Sequence, residues 1–415
     1  MKILSVFAIP IRIGGHFKSA LAHIKCLREM GHDVWVMAPG GVPEMVGEFT
    51  AAGASVCDSW HGPPVRRLPS TQGADELIQL GARENVDLLH VQDPLALAPC
   101  FAAAIRLKAG LVLTAAGGAL TETVPPRGVE TVLFSKELLD NVMRAYPVRR
   151  DRLSIIRARI DTRVYRQMEV GDAFISKYNL PTTGRKVVMA VRVAETKRPW
   201  LDNLMRFAER VGNEQSGPQV VLAGEGPLLD EYEKRASGIN RRCVGRARCH
   251  VIGPVFAIQE LCQLHNYADV VVGHGRGILE AMACGKPAVI LGEGGQGALV
   301  GPDNVEEIAH YNFSGRHFRH RHGSGEDLPA LLRALITDER RLAEAGRFSH
   351  KYIRDHMAAE TGAKQLLAVY EKALGRRHSR ADFIRWYLTV AKVKAAQACR
   401  RRLGGRIARP ARAGR

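Results

Sequence analysis

Gly273-His-Gly-Arg-Gly277 opens onto Ile278-Leu-Glu280, so a glycine-rich turn meets a short helical stretch that carries a carboxylate near its start. Unpaired amides at such a helix start hold phosphate oxygens. Glu280 lies on the same side and suits the hydroxyls of a ribose. Arg192 and Lys197 follow the apolar run 186–191. Together they suit a diphosphate, because arginine forks two oxygens and lysine adds a point charge; taken alone they also fit solvated surface charge. Gly14-Gly15 precedes a helix and lets the backbone approach an anion, although the spacing is not GxGxxG and a tight turn accounts for it as well. Gly224-Glu-Gly-Pro227 and Gly292-Glu-Gly-Gly-Gln-Gly297, which contain Gly226, Gly294 and Gly295, offer the same close approach or simple turns.

Ligands of open α/β sheets bind beyond the carboxyl ends of the strands, and each of these loops begins where an apolar run ends. Residues 2–8 read as a strand, Ala20, Leu21, Ile24, Leu27 and Met30 mark a helix that Gly31 ends, and residues 32–38 form the next strand. This βαβ opening repeats. Strands are expected at 87–91, 111–114 and 131–134, with helices near 95–107 and 136–145. A polar stretch at 161–166 and a turn at 181–184 mark a boundary. A second series places strands at 186–191, 219–223, 250–252, 269–272 and 288–291. The remainder is helical, at 327–337, 339–353, 359–374 and, in the tail, about 381–402. The expectation is α/β: two Rossmann-like doubly wound domains, 1–170 and 171–358, facing across a cleft, then a helix at 359–375 and a basic helical tail at 376–415.

Hydrophobic residues make up 46% and charged residues 25% of the chain, a globular composition that excludes disorder as the main state. The net charge of +18 is unevenly spread: residues 376–415 carry thirteen Lys or Arg against Asp382 alone, so the tail holds +12 and the other 375 residues +6. No recognised nucleic-acid module accompanies the charge, and nucleic acid is not expected as a partner. The eight cysteines form no CxxC pair, which argues against a disulfide framework or a zinc site and for a reducing, cytoplasmic setting. Neither a secretory signal nor a run of 18 apolar residues is evident. His310, His317, His320 and His322 interleave with Arg316, Arg319 and Arg321 and read as a solvated basic loop rather than metal ligands. Cys284 reads as a small packed residue rather than a nucleophile.

These motifs resemble GT-B glycosyltransferases of the family-4 type over nearly the whole chain to about residue 374. Met1-Lys-Ile-Leu4, Gly14-Gly15 and Gly31-His-Asp-Val34 look like that family's N-terminal domain, and Phe134-Ser-Lys-Glu137 and Ile160-Asp-Thr162 sit where the family reads Ser-x-x and Gly-Ile-Asp. Arg192 with Lys197 matches its Arg-x4-Lys pair, and Gly224-Glu-Gly-Pro-Leu228 and Leu279-Glu-Ala-Met-Ala-Cys-Gly-Lys-Pro287 match its donor motifs. The resemblance implies a nucleotide-sugar donor held mainly by the second domain and an acceptor held mainly by the first. It implies Glu280 on the ribose, and Arg192 and Lys197 with Gly14, Gly15, Gly275, Arg276 and Gly277 around the diphosphate. Gly224, Gly226, Gly294 and Gly295 would complete the donor site, with Asn312-Phe-Ser-Gly-Arg316 as a cap. Basic side chains and helix dipoles would replace a metal ion, so no cofactor is expected. The helix at 359–374 would pack back toward the first domain.

Two positions depart from the family. Its Glu-x7-Glu would put a carboxylate at 272, where Val272 stands, and its histidine after the strand 111–114 is replaced by Ala-Ala-Gly-Gly, with Ala116 there. His16, His90 with Asp93, or His274 are the candidate replacements. His90 and Asp93 also fit a plain loop. In the tail, Phe383, Ile384, Trp386, Tyr387, Val390 and Val393 recur at helical spacing beside Lys392, Lys394 and Arg400-Arg-Arg402. That suits an aromatic, basic-rimmed helix on an anionic membrane surface through residues 381–402, or a helix docked on the protein itself. The expected function is transfer of a sugar from a UDP- or GDP-sugar to a glycan or lipid-linked acceptor, retaining and metal-independent, in cell-surface polysaccharide or glycolipid synthesis, peripheral at the inner face of the membrane. The alternatives are a GT-B partner that binds without turnover and a nucleotide-sugar epimerase.

Overall fold

Strands form wherever an aliphatic run is short and covered on both faces, as parallel sheets require. Ile3, Leu4, Ser5 and Val6 are all buried in the first strand, and all six residues of Gly110–Ala115 are buried in the fifth. The structure, a computed structural model, describes residues 1–63, 68–120, 124–212, 214, 217–243, 248–255, 257–292, 294–319 and 325–407, with side chains to Cys399. Its first sheet contains β1 (Lys2–Val6), β2 (Asp33–Met37), β3 (Ser55–Cys57), β4 (Leu88–Val91), β5 (Gly110–Ala115), β6 (Glu130–Leu133) and β7 (Leu153–Ile155), in the order β3-β2-β1-β4-β5-β6-β7 and parallel throughout. The second contains β8 (Lys186–Ala190), β9 (Gln219–Ala223), β10 (Cys249–Ile252), β11 (Val270–Gly273), β12 (Ala288–Leu291), β13 (Gln296–Leu299) and β14 (Glu326–Asp327), in the order β10-β9-β8-β11-β12-β13-β14. This is the expected pair of doubly wound α/β sheets.

Both sheets reverse strand order next to their first strand, between β1 and β4 and between β8 and β11. A crevice opens at such a switch point, outside the carboxyl ends of the strands. Arg12–Gly15 leave β1 there, Arg192 and Lys197 leave β8, and the glycine loop leaves β11. The topology alone therefore gathers the residues that the motifs single out.

Two connections cross between the sheets side by side. Ile160 N–H donates to the Met357 carbonyl at 3.0 Å, and Ala359 N–H donates to the Ile160 carbonyl at 2.9 Å. The helix Ala359–Leu374 then returns to the first sheet. Ala359 and Ala363 pack on Ala22 and Cys26 of the helix Gly15–Glu29, and a Cβ at Gly110 of β5 would lie 3.2 Å from Ala373. Small residues permit that close approach. The terminal helix Arg380–Ile407 docks on the same unit. Trp386 and Val390 are buried, Trp386 Nε1 donates to the Val124 carbonyl at 2.8 Å, and Phe101 meets Phe383 and Trp386 with ring centroids 5.5 and 5.8 Å apart. Phe383, Trp386 and Val390 of the tail's stripe thus pack on the protein's own surface, beside the helix Leu97–Leu107, as the alternative of a helix docked on the protein has it. On that helix Ile384 and Leu388 remain exposed. Among the described residues no helix is long and apolar enough to cross a membrane.

Candidate functional site

A cavity of about 380 Å³ lies between the two sheets at the paired switch points. Gly14, Gly15, Arg192, Lys197, Gly224, His274, Gly275, Arg276, Gly277 and Glu280 all line it, joined by Arg12, Lys18, Glu225, His265 and an apolar patch of Pro254, Val255, Leu261 and Leu264. Five Lys or Arg thus face two carboxylates, a net positive field that favours an anion. The helix Arg276–Ala283 starts at Gly275, whose φ of +66° favours glycine and which provides no side-chain cap. The first amides of that helix have no partner within it. Gly15 presses against Arg276: a Cβ added at Gly15 would lie 3.4 Å from the Arg276 Cβ, so the glycine lets the two domains meet.

Arg192 is exposed and forms no ion pair or hydrogen bond among the described residues, so its guanidinium fork is open. Lys197 is oriented instead. Its Nζ lies 2.7 Å from His274 Nε2 and 4.6 Å from the Trp200 ring, on which His274 stacks at 4.3 Å. Burial, with Lys197 and Arg316 nearby, pushes the His274 pKa down to about 3. At neutral pH the ring is uncharged, and its Nε2 accepts a hydrogen bond from the lysine.

Glu280 is fully enclosed and engaged across the cleft. Lys18 Nζ lies 2.7 and 2.8 Å from its two oxygens, Arg276 Nε donates to Oε1 at 2.8 Å, and His265 Nε2 lies 3.8 Å from Oε2. Burial by itself would raise the carboxyl pKa, but Lys18, His265 and Arg276 outweigh it and hold it well below the usual carboxylate range. Arg276 does not point freely at a ligand: its Nη1 donates to Ser19 Oγ at 2.8 Å and to the Arg159 carbonyl at 2.5 Å. Arg316 similarly clamps Glu137 across the cleft at 2.6–3.1 Å, so the Asn312–Arg316 stretch ties the domains together. Two carboxylates and three cations therefore hold the cleft closed.

Several expected site residues lie elsewhere. His90 is buried within the first sheet, where Nε2 meets Thr114 Oγ1 at 2.7 Å and Nδ1 meets Tyr370 Oη at 2.7 Å and Gln92 Nε2 at 3.1 Å. Both ring nitrogens are occupied, so it fastens the helix Ala359–Leu374, and it does not line the cleft cavity. Asp93 accepts from the amides of Ala8 and Leu95 at 2.6 and 3.0 Å, which is a loop role. His16 packs on Phe17 at 3.9 Å, away from the cavity wall, and burial with Arg12 nearby lowers its pKa to about 4. Gly226 lies outside the lining, whereas Gly224 belongs to it, and both are required by packing: a Cβ on either would strike the carbonyl of Val191 or Val193. Gly294 and Gly295 belong to the β12–β13 hairpin turn beside Gln296 and Asn203, not to the cavity. Val272 is buried in the core of the second sheet. His310 faces Asp140 at 3.9 Å and His317 packs on Phe318, whereas His320, Arg321 and His322 lie outside the described residues. Among the described residues no three His, Cys, Asp or Glu side chains converge as metal ligands.

Lys18 and His265 are the site residues that motif reasoning misses. Lys18 follows Gly14-Gly15 by about one helical turn, so it shares their face, but only the facing of the two sheets brings it to Glu280.

The chain has clear relatives. Residues 13–164 match the family model described as Glycosyltransferase Family 4, and residues 184–311 match that described as Glycosyl transferases group 1. No curated protein matches the chain. Among solved structures, a glycosyltransferase from Rickettsia africae superposes with a TM-score of 0.68 at 14% identity, covering 90% of this chain and 98% of that one. HepE of Anabaena, in complex with UDP and glucose, superposes with a TM-score of 0.65 at 17% identity, covering 89% and 99%. TarM of S. aureus, in complex with fondaparinux, alpha-GlcNAc-glycerol and UDP, superposes at 0.56 and 11% identity, covering 89% and 99%.

Proposed function

Because this chain belongs to the family-4 type of GT-B glycosyltransferases, we propose that the cleft cavity holds a nucleoside-diphosphate sugar and that the protein passes the sugar to a glycan or lipid-linked acceptor. The observation that carries this reading is the convergence of an open Arg192, an oriented Lys197 and an uncapped helix start on one cavity. The diphosphate lies against Arg192, Lys197 and the amides of Arg276 and Gly277. These groups neutralise the charge that grows on the leaving diphosphate, which is the task of a metal ion in other transferases; we therefore infer metal-independent transfer. Glu280 accepts from the ribose hydroxyls beside Lys18 and Arg276, since a carboxylate offers about four acceptor positions. The base rests on the apolar patch of Pro254, Val255, Leu261 and Leu264, as UDP or GDP.

Retention of the anomeric configuration is proposed by family analogy, and so is a role in cell-surface polysaccharide or glycolipid synthesis. The eight free cysteines suit a reducing cytoplasm. Lys197→Ala is expected to weaken UDP- or GDP-sugar binding at least tenfold by calorimetry while leaving the unfolding midpoint unchanged. Unaltered affinity would overturn the diphosphate placement. Val272 in the core, where the family has a carboxylate, favours one second reading: a GT-B protein that binds the donor without turnover. Release of UDP or GDP from the matching donor by the purified chain separates the two.

A further inference from the structure

A second cavity, of about 290 Å³, lies far from the cleft, between the start of the terminal helix and the loops 124–128 and 147–149. These loops precede β6 and β7, so the cavity opens at the amino ends of the strands. It shares no residue with the cleft cavity, which lies at the carboxyl ends.

Its lining is a cage of arginines on a rigid frame. Arg127, Arg149, Arg376 and Arg385 surround it, and Phe101 and Trp386 form an aromatic floor. Pro125, Pro126 and Pro147 stiffen the rim, since proline fixes φ. Asp382 is the sole acidic lining residue, and it is engaged as a helix cap: its Oδ2 accepts from Ser379 N and Oγ at 3.0 and 2.6 Å. Arg127 has no hydrogen-bond or ion-pair partner among the described residues. Arg376 lies 4.0 Å from Glu130, but that carboxylate is bound more closely by Arg152, at 2.5 Å. Arg149 is paired with Asp151 at 2.9 Å and Arg385 lies 3.6 Å from Asp382, both near the surface. His378 lines the same cavity with Nε2 buried and without a hydrogen-bond partner among the described residues.

Around the one lining carboxylate Arg127 keeps an open fork, and Arg149, which forks onto Asp151, with Arg376 and Arg385, each near an acidic partner, adds positive charge to a common space. That geometry matches the tetrahedral oxygens of a phosphate. We infer that this cavity is a second anion site, which binds the phosphate group of a phosphate ester. Arg376 and His378 with the start of the terminal helix build one wall of it, so docking of the tail and formation of the site are one event. The exposed side chains of Ile384 and Leu388, one turn apart beside Arg385, favour a lipid headgroup over a soluble ester as the source.

The test uses the full chain and the variant Arg127→Lys/Arg385→Lys, which keeps the charge but removes the forks from two exposed positions. Inorganic phosphate and glycerol 3-phosphate are titrated by calorimetry, and vesicles of phosphatidylglycerol or of phosphatidylcholine are tested by flotation at physiological salt. The expected result is phosphatidylglycerol binding that the variant loses by fivefold or more, with phosphatidylcholine unbound in both. Glycerol 3-phosphate binding that the variant loses, without flotation, keeps the site and assigns it a soluble ester. Equal behaviour of parent and variant with every probe overturns the inference, because attraction to the tail's bulk charge alone survives Arg→Lys. The UDP- or GDP-sugar titration is expected to be unchanged in the variant, since no residue is shared with the cleft.

Discussion

Lys18→Met removes the cation that bridges the two domains, and its consequence follows from the geometry. Lys18 and Glu280 are 9% and 1% exposed, and the ammonium lies within 2.8 Å of both carboxylate oxygens. Removing one partner of a buried pair costs roughly 3–5 kcal/mol, because the other charge is left uncompensated. Here Arg276 still donates to Oε1 at 2.8 Å, so the loss should fall to about 2–3 kcal/mol. Glu280→Gln strands two buried cations and should cost the full roughly 3–5 kcal/mol. The double variant should lose less than the sum, leaving a coupling of about 1–3 kcal/mol. Urea unfolding of the four proteins gives this number directly. The Glu280 carboxyl is held below its ordinary 4.5, so its stabilisation is fully present above that value and fades only as pH falls through the lower folded one. Burial pushes the Lys18 pKa below the usual lysine range, so the coupling should be fully present at pH 5.5, where both partners are charged. Additivity within about 0.5 kcal/mol would refute the bridge.

Other outcomes follow from the same contacts. His274→Leu deprives Lys197 of its acceptor and is expected to weaken donor binding three- to tenfold; a loss under twofold in calorimetry would show that Lys197 needs no orienting partner. Because the His274 pKa lies near 3, donor affinity of the parent should show no titration of His274 between pH 5.5 and 8. His23 and His90 are buried and held near 3, below the unfolded value of about 6.5. The unfolded chain then binds more protons, so each removes up to about 1.4 kcal/mol per pH unit as pH falls below about 6.5 and has no effect above it. Proton uptake on unfolding at pH 5.5, measured in two buffers of different ionisation enthalpy, checks the sign. Trp386→Ala should cost about 3–5 kcal/mol by urea unfolding, whereas Ile384→Ala, at an exposed position, should stay within about 0.5 kcal/mol; equal losses would mean the tail is not docked.

What the sequence reveals divides along a physical line. β1, β5, β8 and β11 are legible because a parallel strand covered on both faces is a continuous apolar run. β3 and β7 are three residues each, and β14 only two, too short for any period to register. β13 is built around Gln296 and Gly297, and its antiparallel pairing with β12 comes from the hairpin turn rather than from hydrophobicity. The donor-side cations are legible because strand ends fix where loops must emerge. Lys18 is not, since its meeting with Glu280 depends on how one sheet faces the other, which no local pattern encodes. His90 misleads for a related reason: a histidine at a strand end looks like a catalyst until Thr114 and Tyr370, 24 and 280 residues away, claim both nitrogens.

The tail makes the same point with opposite partners. Phe383, Trp386, Tyr387 and Val390 at helical spacing form an apolar face whether they meet lipid or protein, because burial is non-directional. What decides is the complement. Trp386 needs an acceptor for its indole N–H when buried, and the Val124 carbonyl supplies it at 2.8 Å, whereas a hydrocarbon interior would not. With that face docked, the basic residues Arg376 and Arg385 line one cavity with Arg127 and Arg149. The charge that in sequence resembles a diffuse electrostatic address is, at its folded end, placed around a cavity.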